Sequence, residues 1–161
     1  MLSKKKEIAF ITGTRADFGK IKALMNKVLS SEKFSLNLFV TGMHLEQKYG
    51  YTITEIENSG FKDFIFPFIN SSTSVDMEMK LAKTVEGFSA FVRNRKIDLI
   101  IVHGDRPETL AGAIVGSFNN ILVAHIEGGE VSGTIDEMIR HSTTKLSHFH
   151  SVSNNHARDR L

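Results

Sequence analysis

Cysteine is absent from the 161 residues, which excludes disulfides, thiolate nucleophiles and cysteine-held metals. Any chemistry must use oxygen and nitrogen groups, and a reducing compartment is permitted. Long apolar runs are also missing. The first apolar segment extends only from Ile8 to Ile11 before Thr12 and Gly13, too short for a signal-peptide core or a membrane span, so a soluble cytoplasmic protein is expected with no membrane partner. Charge is nearly balanced at +2, and the one basic run, Lys4 to Lys6, precedes the first strand, so nucleic acid is not an expected partner. No G-x-G-x-x-G occurs, so a dinucleotide cofactor is not indicated. No repeat or low-complexity tract interrupts the chain.

What is present is an alternation of strand and helix patterns. The runs Glu7 to Thr12, Ser35 to Val40, Asp98 to His103 and Ile121 to Ile126 read as strands rich in β-branched and apolar residues. Phe61 to Ile69, with four phenylalanines and Pro67, reads as an edge strand packed on the core, since proline cannot donate in a central ladder. Phe149 to Ser153 reads as a last strand. Between them, Ile21, Leu24, Met25, Val28 and Leu29 keep helical spacing, as do Leu81, Ala82, Val85, Phe88 and Val92 in what should be the longest helix. A short helix over Thr52 to Asn58 should stop at Gly60, and Ser71 to Ser74 reads as a polar break. Gly112 and Gly116 weaken a helix over Glu108 to Phe118 unless close packing needs them, which predicts that they face the sheet. The fold class expected is α/β, a Rossmann-like parallel sheet sandwiched by helices.

Acids stand at the ends of the strands. Ligands of an open α/β sheet bind outside the carboxyl ends of its strands, so Asp105 and Glu127 should face one crevice, with Asp136 supplying a third carboxylate from the next helix. Such a cluster suits proton transfer, because repulsion and desolvation raise carboxylate pKa values. Structural alternatives stand beside this. Asp105 before Arg106, Pro107 and Glu108 suits a helix N-cap. Glu127 can accept from the glycine-rich turn, and Asp136 with Arg140, or Glu137 with His141, are i,i+4 pairs. The first strand ends in Gly13, Thr14 and Arg15, where free N–H groups of a helix N-terminus suit a phosphate or carboxylate; the alternative is Thr14 as N-cap with Arg15 and Asp17 solvated. His44 sits on the same rim, as a ligand-side residue or as a structural hydrogen-bonder.

The motifs G-T-R-A-D at Gly13 to Asp17, V-H-G-D-R at Val102 to Arg106, H-I-E-G-G-E-V-S-G-T-I-D-E-M-I-R-H from His125 to His141 and T-K-L-S-H at Thr144 to His148 resemble one family. It is that of the hydrolysing UDP-N-acetylglucosamine 2-epimerases of sialic acid biosynthesis, and the likeness covers essentially the whole chain. Ala16-Asp17 and Gly128-Gly129-Glu130 depart from the G-T-R-P-E and E-A-G-L-R of the non-hydrolysing branch, while Pro107 stands where hydrolysing enzymes often have an aromatic residue. The resemblance implies the N-terminal half of a glycosyltransferase-B-type fold, with a C-terminal nucleotide-binding domain absent and the UDP-sugar lying between the two. The last helix, cut off at Leu161, fits a fragment, expected to be inactive alone. The implied reaction is anti elimination of UDP to 2-acetamidoglucal, then hydration to N-acetylmannosamine.

On that resemblance, Glu127 and Asp136 act in elimination and Asp105 in proton delivery or hydration. Arg15, His44, Arg106, Glu130, Arg140 and His141 are the implied substrate-binding residues. No cofactor and no metal are implied, although His103 with Asp105 and His125 with Glu127 imitate ligand pairs. A homo-oligomer is implied. UDP-2,4-diacetamido-2,4,6-trideoxyglucose, a sugar of legionaminic acid pathways, is an alternative substrate, and a non-catalytic sugar-nucleotide-binding or assembly domain an alternative role.

Overall fold

In the computed structural model, which describes residues 4–70 and 76–161, six strands form one parallel sheet. They are β1 (Lys6–Thr12), β2 (Phe34–Val40), β3 (Ile65–Pro67), β4 (Leu99–His103), β5 (Leu122–Ile126) and β6 (Phe149–Ser151), in the order β3-β2-β1-β4-β5-β6. The helices are α1 (Arg15–Leu29), α2 (Ile53–Ile56), α3 (Met77–Arg93), α4 (Pro107–Phe118), α5 (Ile135–Lys145) and α6 (Asn155–Asp159). This is the Rossmann-like parallel α/β class that the alternation predicts.

Period-two alternation in β1 divides the core. Ile8 and Phe10 join Phe18, Ile21, Met25 and Val28 of α1, whereas Ala9 and Ile11 join Phe88, Phe91 and Val92 of α3 and Ala113 and Val115 of α4. Each face therefore needs its own helical cover. Gly112 and Gly116 do face the sheet: a Cβ on Gly112 would stand 2.7 Å from Val102 Cγ1, and one on Gly116 2.3 Å from Val123 Cγ2. Missing side chains let α4 approach the strands, which offsets their cost to helix propensity.

The phenylalanine-rich segment is less regular than its sequence suggests. Only Ile65–Pro67 pairs, at the sheet edge beside β2, where Pro67 has no outer partner to serve. Its aromatics divide between the two faces: Phe61 packs against Phe18 at 5.9 Å, while Phe66 and Phe68 stack on Phe39 at 5.9 and 5.6 Å. The α2 helix ends sooner than expected, then continues as a wide turn to Phe61 with Gly60 at φ +90°. The polar break at Ser71 to Ser74 lies outside the described residues. Strand order reverses between β1 and β4, so the loops leaving them diverge and open a crevice. The helix cap after β4 is Arg106, with Pro107 at the first helical position, so Asp105 is not the N-cap.

Candidate active site

A cavity of about 380 Å³ lies at that crevice. Thr14, Ala16 and Asp17 line it from the β1 end, Met43 from the β2 end, His103 to Arg106 from β4, Glu127 and Glu130 from the β5 loop, and Arg140 from α5. Five expected site residues, Asp105, Glu127, Arg106, Glu130 and Arg140, are thus brought together. Asp136, Arg15, His44 and His141 do not line it.

Glu127 occupies a left-handed backbone position, φ +63°, which is unfavourable for any residue with a Cβ. Its backbone N–H donates to Ser151 O at 2.8 Å, joining the loop to the end of β6. Both carboxylate oxygens have cationic or imidazole neighbours: Lys20 Nζ donates to Oε1 at 2.8 Å, and His103 Nε2 lies 3.1 Å from Oε2. Lys20 first, then the charge of His103, hold this carboxyl below the ordinary glutamate range against a burial effect that would raise it. The result is an ionised carboxylate at a cavity wall, one-third exposed.

Asp105 takes a different partner. Arg140, buried, donates from Nη2 to Asp105 Oδ2 and from Nη1 to Glu130 O at 2.8 Å. The expected i,i+4 pair of Arg140 with Asp136 is therefore replaced by a tie from α5 to the β4 loop. Replacing Arg140 with Gln should cost about 2 kcal/mol, because it strands a partly buried carboxylate and a carbonyl. Urea denaturation checks this; an unchanged midpoint would contradict the pairing.

The third acid stands apart. Asp136 is the second residue of α5 and lies on that helix's rim, half-buried and outside the cavity, so the expected three-acid crevice contains two. His141 stays on α5 beside Glu137, 3.4 Å away, while Glu137 accepts from the Ser132 and Gly133 N–H groups at 2.9 and 2.6 Å. Those backbone bonds hold Glu137 below the usual carboxylate range.

The β1 end also departs from expectation. Asp17 is buried and accepts from Gly13 N–H at 3.1 Å and Thr14 N–H at 2.9 Å, while Thr14 Oγ1 accepts from Asp17 N–H. This capping box takes up the Asp17 N–H of the helix N-terminus together with the two loop N–H groups before it. Arg15 points to Glu55 on α2, Nε to Oε2 3.1 Å, on the surface. His44 is wholly enclosed between Thr12 Oγ1 at 3.1 Å and Thr52 Oγ1 at 2.8 Å, with burial pushing its pKa down. Both of its ring nitrogens are occupied by core hydroxyls, the arrangement that the structural alternative expects.

His125 is likewise interior, and burial pushes its pKa down to about 4. Neutral, it donates from Nε2 to Gly104 O at 2.8 Å, leaving Nδ1 to accept from Thr144 Oγ1 at 3.2 Å. The folded pKa lies below the ordinary value of 6.5, so the unfolded chain binds the proton more readily. Stability is then independent of this group above pH 6.5 and falls as pH drops toward 4, by about 3 kcal/mol in all. Urea melts between pH 7 and 4.5 should show this slope, and His125→Gln should flatten it.

Lys20 and His103 are the site residues that sequence reasoning undervalued. Lys20 is one helical turn beyond Ala16, off the apolar stripe of α1, which is the one signal that could have placed it near the crevice.

Fold and site together define a Rossmann-type domain with an acid-lined crevice at its switch point. The chain belongs to the UDP-N-acetylglucosamine 2-epimerase family, whose model matches residues 26–161. It is 44% identical over 156 residues to the UDP-N-acetylglucosamine 2-epimerase of Neisseria meningitidis serogroup B, covering 97% of this chain and 41% of that protein. It is 38% identical to the UDP-N,N'-diacetylbacillosamine 2-epimerase (hydrolyzing) of Legionella pneumophila, covering 97% and 42% respectively. The fold matches the Methanocaldococcus jannaschii UDP-GlcNAc 2-epimerase solved with UDP-GlcNAc and UDP, with a TM-score of 0.84, 21% identity, and coverage of 96% of this chain and 42% of that one. Such structures have the glycosyltransferase-B-type fold, of which this domain is one half. The chain thus spans about two fifths of the length of the relatives it matches. Among the described residues, no helix is long and apolar enough to cross a membrane.

Proposed function

We propose that this chain is the N-terminal domain of a hydrolysing UDP-N-acetylglucosamine 2-epimerase, acting in the cytoplasm to supply N-acetylmannosamine for sialic acid synthesis. The observation that carries the reading is Glu127, an ionised carboxylate held between Lys20 and His103 on the wall of the switch-point cavity. In the first step the C1–O bond to UDP breaks and Glu127 takes the C2 proton, giving UDP and 2-acetamidoglucal. Departure of UDP leads, because the C2 proton is weakly acidic and charge builds at C1, where carboxylates stabilise it. In the second step water adds its oxygen at C1 and gives up a proton to solvent, Asp105 relays a solvent proton to C2 on the opposite face, and Glu127 returns to solvent the proton it took. Arg106, Glu130 and Arg140 are ligand-side groups. Asp136, and with it His141, joins the site only if the loop before α5 carries that helix's rim inward.

A second domain supplies most uridine and diphosphate contacts, so the isolated chain is inactive, and the whole protein is a homo-oligomer. The Legionella relative supports the 2,4-diacetamido sugar as the second substrate to try. The test is incubation of the full-length protein with UDP-N-acetylglucosamine in D2O. Free UDP with N-acetylmannosamine carrying one deuterium at C2 is expected. UDP-N-acetylmannosamine instead would establish a non-hydrolysing reaction, and no turnover of either sugar would favour a non-catalytic binding domain.

A further inference from the structure

The strands β4 and β5 end alike, in a histidine, one residue and an acid: His103-Gly104-Asp105 and His125-Ile126-Glu127. Each histidine reaches across to the other strand's loop. His125 donates to Gly104 O, next to Asp105, and His103 Nε2 approaches Glu127 Oε2. The two are not equally settled. His125 has both ring nitrogens satisfied, whereas among the described residues neither nitrogen of the buried His103 makes a well-directed hydrogen bond. An unsatisfied buried imidazole is costly, so its placement against a carboxylate needs a reason. Of the two groups on Glu127, Lys20 is 62% exposed and free to leave for an anionic ligand, while His103 is 8% exposed and fixed in the strand.

We propose that His103 is a positioning residue for Glu127: its Nε2–H turns onto Oε2 and holds the carboxylate toward the cavity once Lys20 is released. The assignment rests on Glu127 being the reacting base. The other charged and titratable groups around the pair are Lys20 from α1, Asp17, Asp105, Arg106, Glu130 and Arg140 of the cavity wall, and His125 on β5.

Two experiments separate this inference from the functional reading. The ring 15N shifts of His103, which report which nitrogen carries the proton and whether it is hydrogen-bonded, are recorded in this chain, in Glu127→Gln and in Lys20→Met. An Nε2–H bond to Oε2 should be present in this chain, strengthen in Lys20→Met and weaken in Glu127→Gln. Shifts unmoved by either variant overturn the proposal whatever the protein's activity. In the full-length enzyme, His103→Leu should lower kcat by about 10²-fold with KM little changed, since misplacing a reacting group by about 1 Å has that effect. His103→Gln, which keeps a donor, should recover most of it. Equal loss in both variants would mean a packing role only.

Discussion

Full-length protein carrying Glu127→Gln should release UDP from UDP-N-acetylglucosamine about 10³-fold more slowly than wild type, within the range that positioned acid–base groups contribute. The amide keeps the volume of the side chain but cannot take the C2 proton. Binding should survive, because Lys20 loses its partner and becomes a free cation beside the ligand. Calorimetry with UDP would show a dissociation constant that is unchanged or tighter. Turnover within tenfold of wild type would remove Glu127 from the chemistry and leave Asp105 as the next candidate among the cavity's acids. In D2O each molecule of N-acetylmannosamine still formed should carry one deuterium at C2.

Gly129→Ala is expected to have the largest effect on stability of any single methyl added to the site loop. The backbone there has φ +78°, and a Cβ would stand 2.3 Å from Ala157 O and 2.9 Å from its carbonyl carbon. Those are backbone atoms of a buried residue in α6, so no rotamer change relieves the contact. Left-handed strain and overpacking together cost about 3 kcal/mol, which lowers the melting temperature by roughly 6–12 °C for a domain of this size. Gly133→Ala is the control: it has φ +68° but nothing within 4 Å of the added methyl. It should lose only about 1 kcal/mol, from strain alone. Equal melting shifts for the two would mean that α6 yields freely and that Gly129 is no packing point.

The strands and the crevice were legible because buried parallel strands are short apolar runs whose ends are marked by glycine and acids. Asp105 and Glu127 were readable for the same reason, each following its strand directly. Asp136 was not, since its distance from the cavity depends on how the glycine-containing loop between β5 and α5 carries that helix, and no periodicity encodes that. His44 and Arg15 do not line the cavity, for a common reason: rim position along the chain does not say whether a side chain turns inward or outward. His44 found two core hydroxyls, from Thr12 and Thr52, and Arg15 found Glu55, 40 residues away. The capping box of Thr14 and Asp17 was half legible, since the N-cap reading named Thr14 but left Asp17 in solvent.

The crossed histidines of β4 and β5 bear on transplantation. Parallel pairing places Val102 beside His125 and His103 beside Ile126, so each acid loop is braced by a side chain encoded more than 20 residues away. A designer who grafts only the β4 turn, or only the β5 turn, onto another scaffold moves an acid without its brace. The smallest portable piece is the strand pair with its register intact, and variation in either turn must be selected together with the opposite strand.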